Sequence, residues 1–362
     1  MKKYFLPSLI VLSAAALLSS CKKDDTGGVA VKPYTVPTTY SFGNASYVKS
    51  TQLTKMAVEI DAYLKTANAG TAIVALDQAK LNNMFANTGN PFSDGALNTA
   101  AVNIKASTSD YDLYKSYADS VLIYNTGTAA AAGTGGFVPR GSNKIIVGPT
   151  GIEYGQAFLK STMGALFFKE AVNLLNNVKT LTATDTLTAQ AKWDEAFGYL
   201  SVPANYDTAV TYPNTDPNRP LLWGGYLRER GREIQAGGII FGAFLKGRAA
   251  IGGYDVNVRN AQVDIILDKW EQLAARAAWV YVTMPTLSAN VGNYGSQLHA
   301  LSEGFGFIAS LKYRAASSKL SAANYTTINN IIYKDFYVLL NQPGFTDLVA
   351  LQNLLQTTYG LQ

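Results

Sequence analysis

The chain of 362 residues carries a formal net charge of +5, is 48% hydrophobic and is only 15% charged. That much apolar material excludes a disordered chain, and so small and dispersed a charge gives no ground for a nucleic-acid partner. One Cys and one His exclude a disulfide framework, a Cys-based zinc site and a two-His metal motif on a helix.

Lys2 and Lys3 precede an apolar stretch, Phe5 to Leu18, that is too short to span a bilayer comfortably, and residues 1–20 read as a secretory signal peptide. The stretch ends in Leu18-Ser19-Ser20-Cys21, which resembles a bacterial lipobox. The resemblance implies cleavage before Cys21 and acylation of its thiol and new amino group, so that the chain meets a membrane through a lipid anchor. Loss of residues 1–20 removes Lys2 and Lys3 and lowers the net charge from +5 to +3. The run Lys22-Lys23-Asp24-Asp25 resembles surface-export signals of outer-membrane lipoproteins, which places the cell surface ahead of the periplasmic face; a solvated tether is the plainer reading. Residues 21–46 hold Gly27, Gly28, Pro33 and Pro37 without helical periodicity, and are expected to form the acylated Cys and a flexible tether.

From there the apolar residues recur every three or four positions. Leu53, Met56, Ile60 and Leu64 form one stripe, and Tyr114, Tyr117, Val121 and Tyr124 another. Leu159, Met163, Leu166 and Leu174 lie on a long helix from about Glu153 to Val178, and Ile266, Trp270, Leu273, Ala277 and Val280 on one that Pro285 stops. Ile328, Ile332, Phe336 and Leu339 come next, and Leu348, Leu351, Leu355 and Tyr359 close the chain. No sustained alternation of strand type is present, so the class is all-α with about ten helices.

Two loops interrupt this pattern. Residues 126–150 are rich in Ala and Gly and read as a flexible insertion; residues 202–220, with Pro203, Pro213, Pro217 and Pro220, are long enough to be either functional or disordered. Seven glycines between 221 and 251 suggest a broken helix or close helix–helix approach. In the same segment Arg228, Arg230 and Arg232 alternate with Glu229 and Glu233, which reads as a solvated face with local ion pairs, with an anion site as the alternative.

Glu195-Ala196-Phe197-Gly198-Tyr199-Leu200 matches Glu303-Gly304-Phe305-Gly306-Phe307-Ile308, which suggests two related helical units. Each Glu lies near a packed face, where a carboxylate has to be paired, hydrogen-bonded or protonated. His299 and Glu303 are spaced i, i+4 and share a helix face. That pair could hold a divalent metal such as iron, joined by Glu195 and Asp194, or tie two helices together as a purely structural pair.

Several stretches resemble an uncharacterised family of bacterial lipoproteins, DUF4856. They are Gly155-Gln156 through Lys160, Met163-Gly164-Ala165, Trp193-Asp194-Glu195-Ala196-Phe197-Gly198-Tyr199, Gly247-Arg248-Ala249-Ala250 and Leu301-Ser302-Glu303-Gly304-Phe305-Gly306-Phe307, with Tyr40-Ser41-Phe42 and Pro91-Phe92-Ser93 upstream. That family is in turn similar to imelysin-like envelope proteins, which implies a pseudo-repeat of two helical bundles and a link to iron uptake. The imelysin-like Gly-x-His-x-x-Glu motif is not intact: Gln297 replaces its Gly, Ser302 stands three after His299, and the Glu falls one later, at Glu303. Ala191 occupies the place of a first-copy His.

The expectation is therefore a helical domain over 47–358, made of units at about 47–203 and 221–358, with Glu195, His299 and Glu303 gathered between them. Its expected role is non-enzymatic binding or uptake of an unidentified small ligand, or of an envelope protein partner, with iron or haem as the cargo the resemblance implies. A metal-dependent hydrolase and a polysaccharide- or protein-binding surface lipoprotein are the alternatives.

Overall fold

The computed structural model describes residues 29–362. Residues 1–20, Cys21 and the Lys22–Asp25 run lie outside the described residues. The rest is mostly helical, as the periodicity requires. The helices are α1 (Val48–Lys65), α2 (Gln78–Ala86), α3 (Gly95–Asn98), α4 (Ile104–Ser107), α5 (Tyr111–Tyr124), α6 (Tyr154–Thr162), α7 (Lys169–Thr180), α8 (Thr186–Leu200), α9 (Trp223–Glu229), α10 (Ala236–Gly252), α11 (Val256–Thr283), α12 (Tyr294–Ser310), α13 (Ala322–Ile332), α14 (Phe336–Asn341) and α15 (Thr346–Tyr359). The segments beyond the expected ten are mostly short ones, such as α3 and α4, whose Asn or Asp caps accept first-turn N–H groups. The expected stripes face inward: Leu53, Met56, Ile60 and Leu64 on α1, and Ile266, Trp270, Leu273 and Ala277 on α11, are all buried.

One continuous apolar cluster runs from Tyr40 to Leu361, drawing on both expected units. The repeat glycines mark two of its tightest crossings. A Cβ on Gly198 of α8 would strike Ser50 and Tyr47 at the start of α1, and one on Gly306 of α12 would strike Lys160 and Ser161 of α6. Each copy thus brings a neighbouring helix close, but the two copies do so against different partners.

α6 and α7 are one rod joined by a π-helical segment, Met163–Phe168. Such a segment disturbs the carbonyl ladder, and the carbonyls here find other donors. Trp223 Nε1 donates to Met163 O at 2.8 Å, the Ser109 N–H to Ala165 O at 3.3 Å, and Ser310 Oγ to Lys160 O at 2.7 Å.

Two expectations are corrected. Residues 126–150 are not merely a flexible insertion: they contain an antiparallel hairpin, β1 (Gly136–Arg140) with β2 (Asn143–Val147). Gly141, at φ 62°, allows the tight turn, and the β-branched residues Ile145, Ile146 and Val147 are buried. The expectation of a flexible tether over 21–46 also fails from Lys32 onward. The Lys32 N–H donates to Gly253 O at 2.8 Å, Tyr34 Oη donates to Asp255 at 2.9 Å, and the Tyr40 ring stacks on Phe197 at 3.6 Å. The aromatic residues among the prolines pin this segment to α8 and to the α10–α11 turn.

Candidate functional site

Three places carry the polar chemistry. The first surrounds His299, which projects from α12 between two carboxylates. Nδ1 lies 2.6 Å from Glu153 Oε2, at the foot of α6, and Nε2 lies 3.0 Å from Glu303 Oε1, one turn along α12. Ser302 Oγ accepts the Glu153 N–H at 2.7 Å and fixes that residue's backbone. Beyond Glu303 stand Lys160 Nζ at 3.7 Å and the Tyr226 hydroxyl, which donates at 2.8 Å. Burial works against a charged imidazole, but the hydrogen bonds to Glu153 and Glu303 outweigh it and push the His299 pKa up to about 9. Burial likewise opposes the Glu303 carboxylate, yet Lys160 and His299 hold its pKa well below the usual range. The Lys160 pKa, lowered by burial but raised more by Glu303, also ends above its ordinary value. The result is an alternating row, carboxylate–imidazolium–carboxylate–ammonium.

The divalent metal implied by the imelysin-like resemblance does not fit this row. Both ring nitrogens of His299 already face carboxylate oxygens, and the buried Lys160 ammonium sits beside Glu303, where it opposes a second cation. No set of three His, Cys, Asp or Glu side chains among the described residues is arranged to hold a metal ion. The void beside Glu153, between α6 and the end of α1, is about 10 Å³, scarcely the space of one water.

The second place holds the first copy of the repeat. Asp194 and Glu195 do not join His299. Asp194 is buried against Arg248 of α10, which donates from Nε at 2.7 Å, and it accepts the Tyr40 hydroxyl at 2.6 Å. Glu195 pairs with Lys49 of α1 at 2.8 Å and accepts from Tyr199. The expected gathering of Glu195 with His299 and Glu303 is therefore not formed: α8 presents its acids to α1, α10 and the N-terminal segment, whereas α12 presents His299 and Glu303 to α6 and α9.

The third place is open. The 202–220 loop lies against α9 and the start of α10 and leaves a cleft with two adjoining lobes, both lined by Tyr206, Thr208 and Arg228. The inner lobe, about 410 Å³, adds Arg232, Gly237 and Gly238; the outer, about 240 Å³, adds Asp207, Tyr212, Asn214, Arg219 and Glu229. Arg230 and Glu233 behave as local ion-pair residues, bonded to Glu229 and Arg276. Arg228 donates only to Thr211, and Arg232 is exposed with no ion pair to another described residue. A wider hollow of about 470 Å³ lies beside Tyr47, but its charged residues, Lys55 and Asp94, face each other at 3.4 Å.

A family model described as "Domain of unknown function (DUF4856)" matches residues 37–357, nearly all of the described chain. The chain belongs to the DUF4856 family. No curated protein and no solved structure is significantly similar to it. The matched DUF4856 span contains the His299 row, the Asp194–Arg248 pair and the cleft alike. Glu153, Lys160, Tyr226, Arg248 and Tyr206 are among the members of these sites that the sequence did not mark as site residues. Lys160 carried a usable signal, a lone charge inside an apolar helical run.

Proposed function

We propose that this protein is a lipid-anchored, non-enzymatic binding protein of the bacterial cell envelope, held by Cys21 at the outer membrane and exposed at the cell surface, with its ligand taken in the α9–α10 cleft. One observation carries the reading: the charges of the His299 row and the Asp194–Arg248 pair are matched and closed in, whereas the cleft offers Arg228 and Arg232 without carboxylate partners beside 410 Å³ of open space. Clefts of that size, with a few convergent polar groups, are the usual form of a small-ligand site. No helix among the described residues is long and apolar enough to cross a membrane, so attachment in this reading rests on the acylated Cys.

Metabolic labelling with an alkynyl palmitate analogue tests the anchor. Label is expected on the wild type and not on Cys21→Ala, which should leave the membrane fraction; label that persists in the variant would overturn the anchor. Protease shaving of intact cells should remove the protein if it is surface-exposed.

The cleft has its own test. Gly238 lines the cleft and a Cβ there meets nothing within 4 Å, so Gly238→Trp, whose first atom is unobstructed, is the variant chosen to plug it. The mature variant is expected to melt within about 2 °C of wild type, because no core contact changes. In a thermal-shift panel of sugars, short peptides and haem, a bound compound should stabilise the wild type by RT ln(1 + [L]/Kd), which raises its Tm, and leave the plugged variant unmoved. A ligand shift that survives the plug places binding elsewhere.

A further inference from the structure

The reading of the cleft as the ligand site leaves the ligand's chemistry open, and the inner lobe narrows it. Tyr206 is 7% exposed, yet its hydroxyl donates to no other described residue. It stands over the first turn of α10, close enough that a Cβ on Gly237 would lie 2.5 Å from the Tyr206 oxygen. At that turn the Ala236 N–H is taken by Gly231 O and the Ile239 N–H by Gln235 O, while the N–H groups of Gly237 and Gly238 have no partner among the described residues. α10 is 17 residues long, so these free donors sit at the positive end of a full helix dipole. The charged residues of the lobe are Arg228 and Arg232, both cationic, with no carboxylate lining it. The unpartnered Tyr206 hydroxyl, two orphan backbone donors and two arginines outnumber the acceptors that Thr208 and Gln235 bring to the lobe, and such a donor-rich set satisfies an oxyanion. The outer lobe differs in kind: Tyr212 offers an aromatic face, and Asp207 and Asn214 offer acceptors suited to hydroxyl groups.

Resting on the cleft reading, we propose that the inner lobe is an oxyanion subsite, and that the ligand is an acidic sugar whose carboxylate or phosphate meets Tyr206, Gly237, Gly238, Arg228 and Arg232 while its hydroxyl-bearing ring lies in the outer lobe. The oxyanion could come from a uronate or from a sugar phosphate, and the probes distinguish the two.

Isothermal titration of the mature protein with glucuronate, glucose 6-phosphate and glucose, at low salt, is the test. Expected is binding of at least one acidic probe, the better one naming the anion, with glucose at least tenfold weaker. Arg232→Gln and Arg228→Gln should each weaken the acidic probe about tenfold or more, and raising the salt should do the same in wild type. Tyr206→Phe, which removes one hydroxyl without emptying its place, should weaken it by a smaller factor. Glucose binding as tightly as the acids, and lost in Gly238→Trp, overturns the oxyanion subsite while the cleft reading stands. Acid binding unchanged by both arginine variants and by Gly238→Trp overturns the two together, as does the absence of binding by all three probes combined with panel ligands that ignore the plug.

Discussion

Asp194→Ala is expected to destabilise the protein by about 3–5 kcal/mol, the range for removing one partner of a buried ion pair. Arg248 is 2% exposed and its Nε donates to Asp194 at 2.7 Å, so the variant leaves a guanidinium in the core with only Asn44 to accept from it. The same carboxylate accepts the Tyr40 hydroxyl at 2.6 Å, and Tyr40 stacks on Phe197. Loss of the acid therefore loosens the N-terminal segment as well as the α8–α10 contact. Chemical denaturation gives the energy, and limited proteolysis within residues 29–46 reports the segment. A double variant, Asp194→Leu with Arg248→Met, should recover much of the loss, because the desolvated charge goes with its partner. A cost below about 1 kcal/mol for Asp194→Ala, or no recovery in the double variant, would show that the pair is not what holds the segment.

This pair shows what sequence alone could and could not convey. The helix stripes were legible because a 3.6-residue period is a local property, and so was the meaning of Gly198 and Gly306, since glycine among large apolar residues signals close approach. The i, i+4 spacing of His299 and Glu303 was legible for the same reason. Their partners were not: Glu153 is 146 residues from His299, and Arg248 is 54 from Asp194. Which acid meets which base is settled by how the helices cross, and the likeness of the two repeat copies wrongly suggested that Glu195 and Glu303 share one place. The hairpin was hidden because its buried run, Lys144 to Val147, is too short for a periodic signal and follows a stretch rich in Ala and Gly. The cleft was hidden because it depends on a proline-rich loop that lies against α9 and α10 without regular structure. In each case the missing information is tertiary.

The His299 row makes the other large prediction, and its sign follows from the two pKa shifts. His299 is raised from 6.5 to about 9 in the folded state, so its contribution is complete below pH 6.5 and is lost as pH rises through 9. Glu303 is lowered, so its contribution is complete above its unfolded pKa of 4.5 and is lost as pH falls towards its folded value. Both are intact between about pH 4.5 and 6.5. Wild type should lose up to about 3 kcal/mol from this row between pH 6.5 and 9. His299→Gln should be less stable at pH 6 and nearly flat across that window, because no proton remains to be released between Glu153 and Glu303. Equal pH slopes in the two proteins would sink the imidazolium assignment. Charge balance in the same row can be tested without pH. Glu303→Gln keeps an acceptor for Tyr226 but leaves the buried Lys160 ammonium without its counter-charge, at an expected cost of about 3–5 kcal/mol. Adding Lys160→Met removes that ammonium while keeping an unbranched side chain in its place, so the double variant should be more stable than Glu303→Gln alone. A metal-binding row would behave the other way, since losing a lysine beside the ligands would strengthen metal affinity and leave the apo protein's stability little changed. The alternation of charges around His299 therefore makes one comparison, Glu303→Gln with and without Lys160, sufficient to separate a structural ion row from a metal centre.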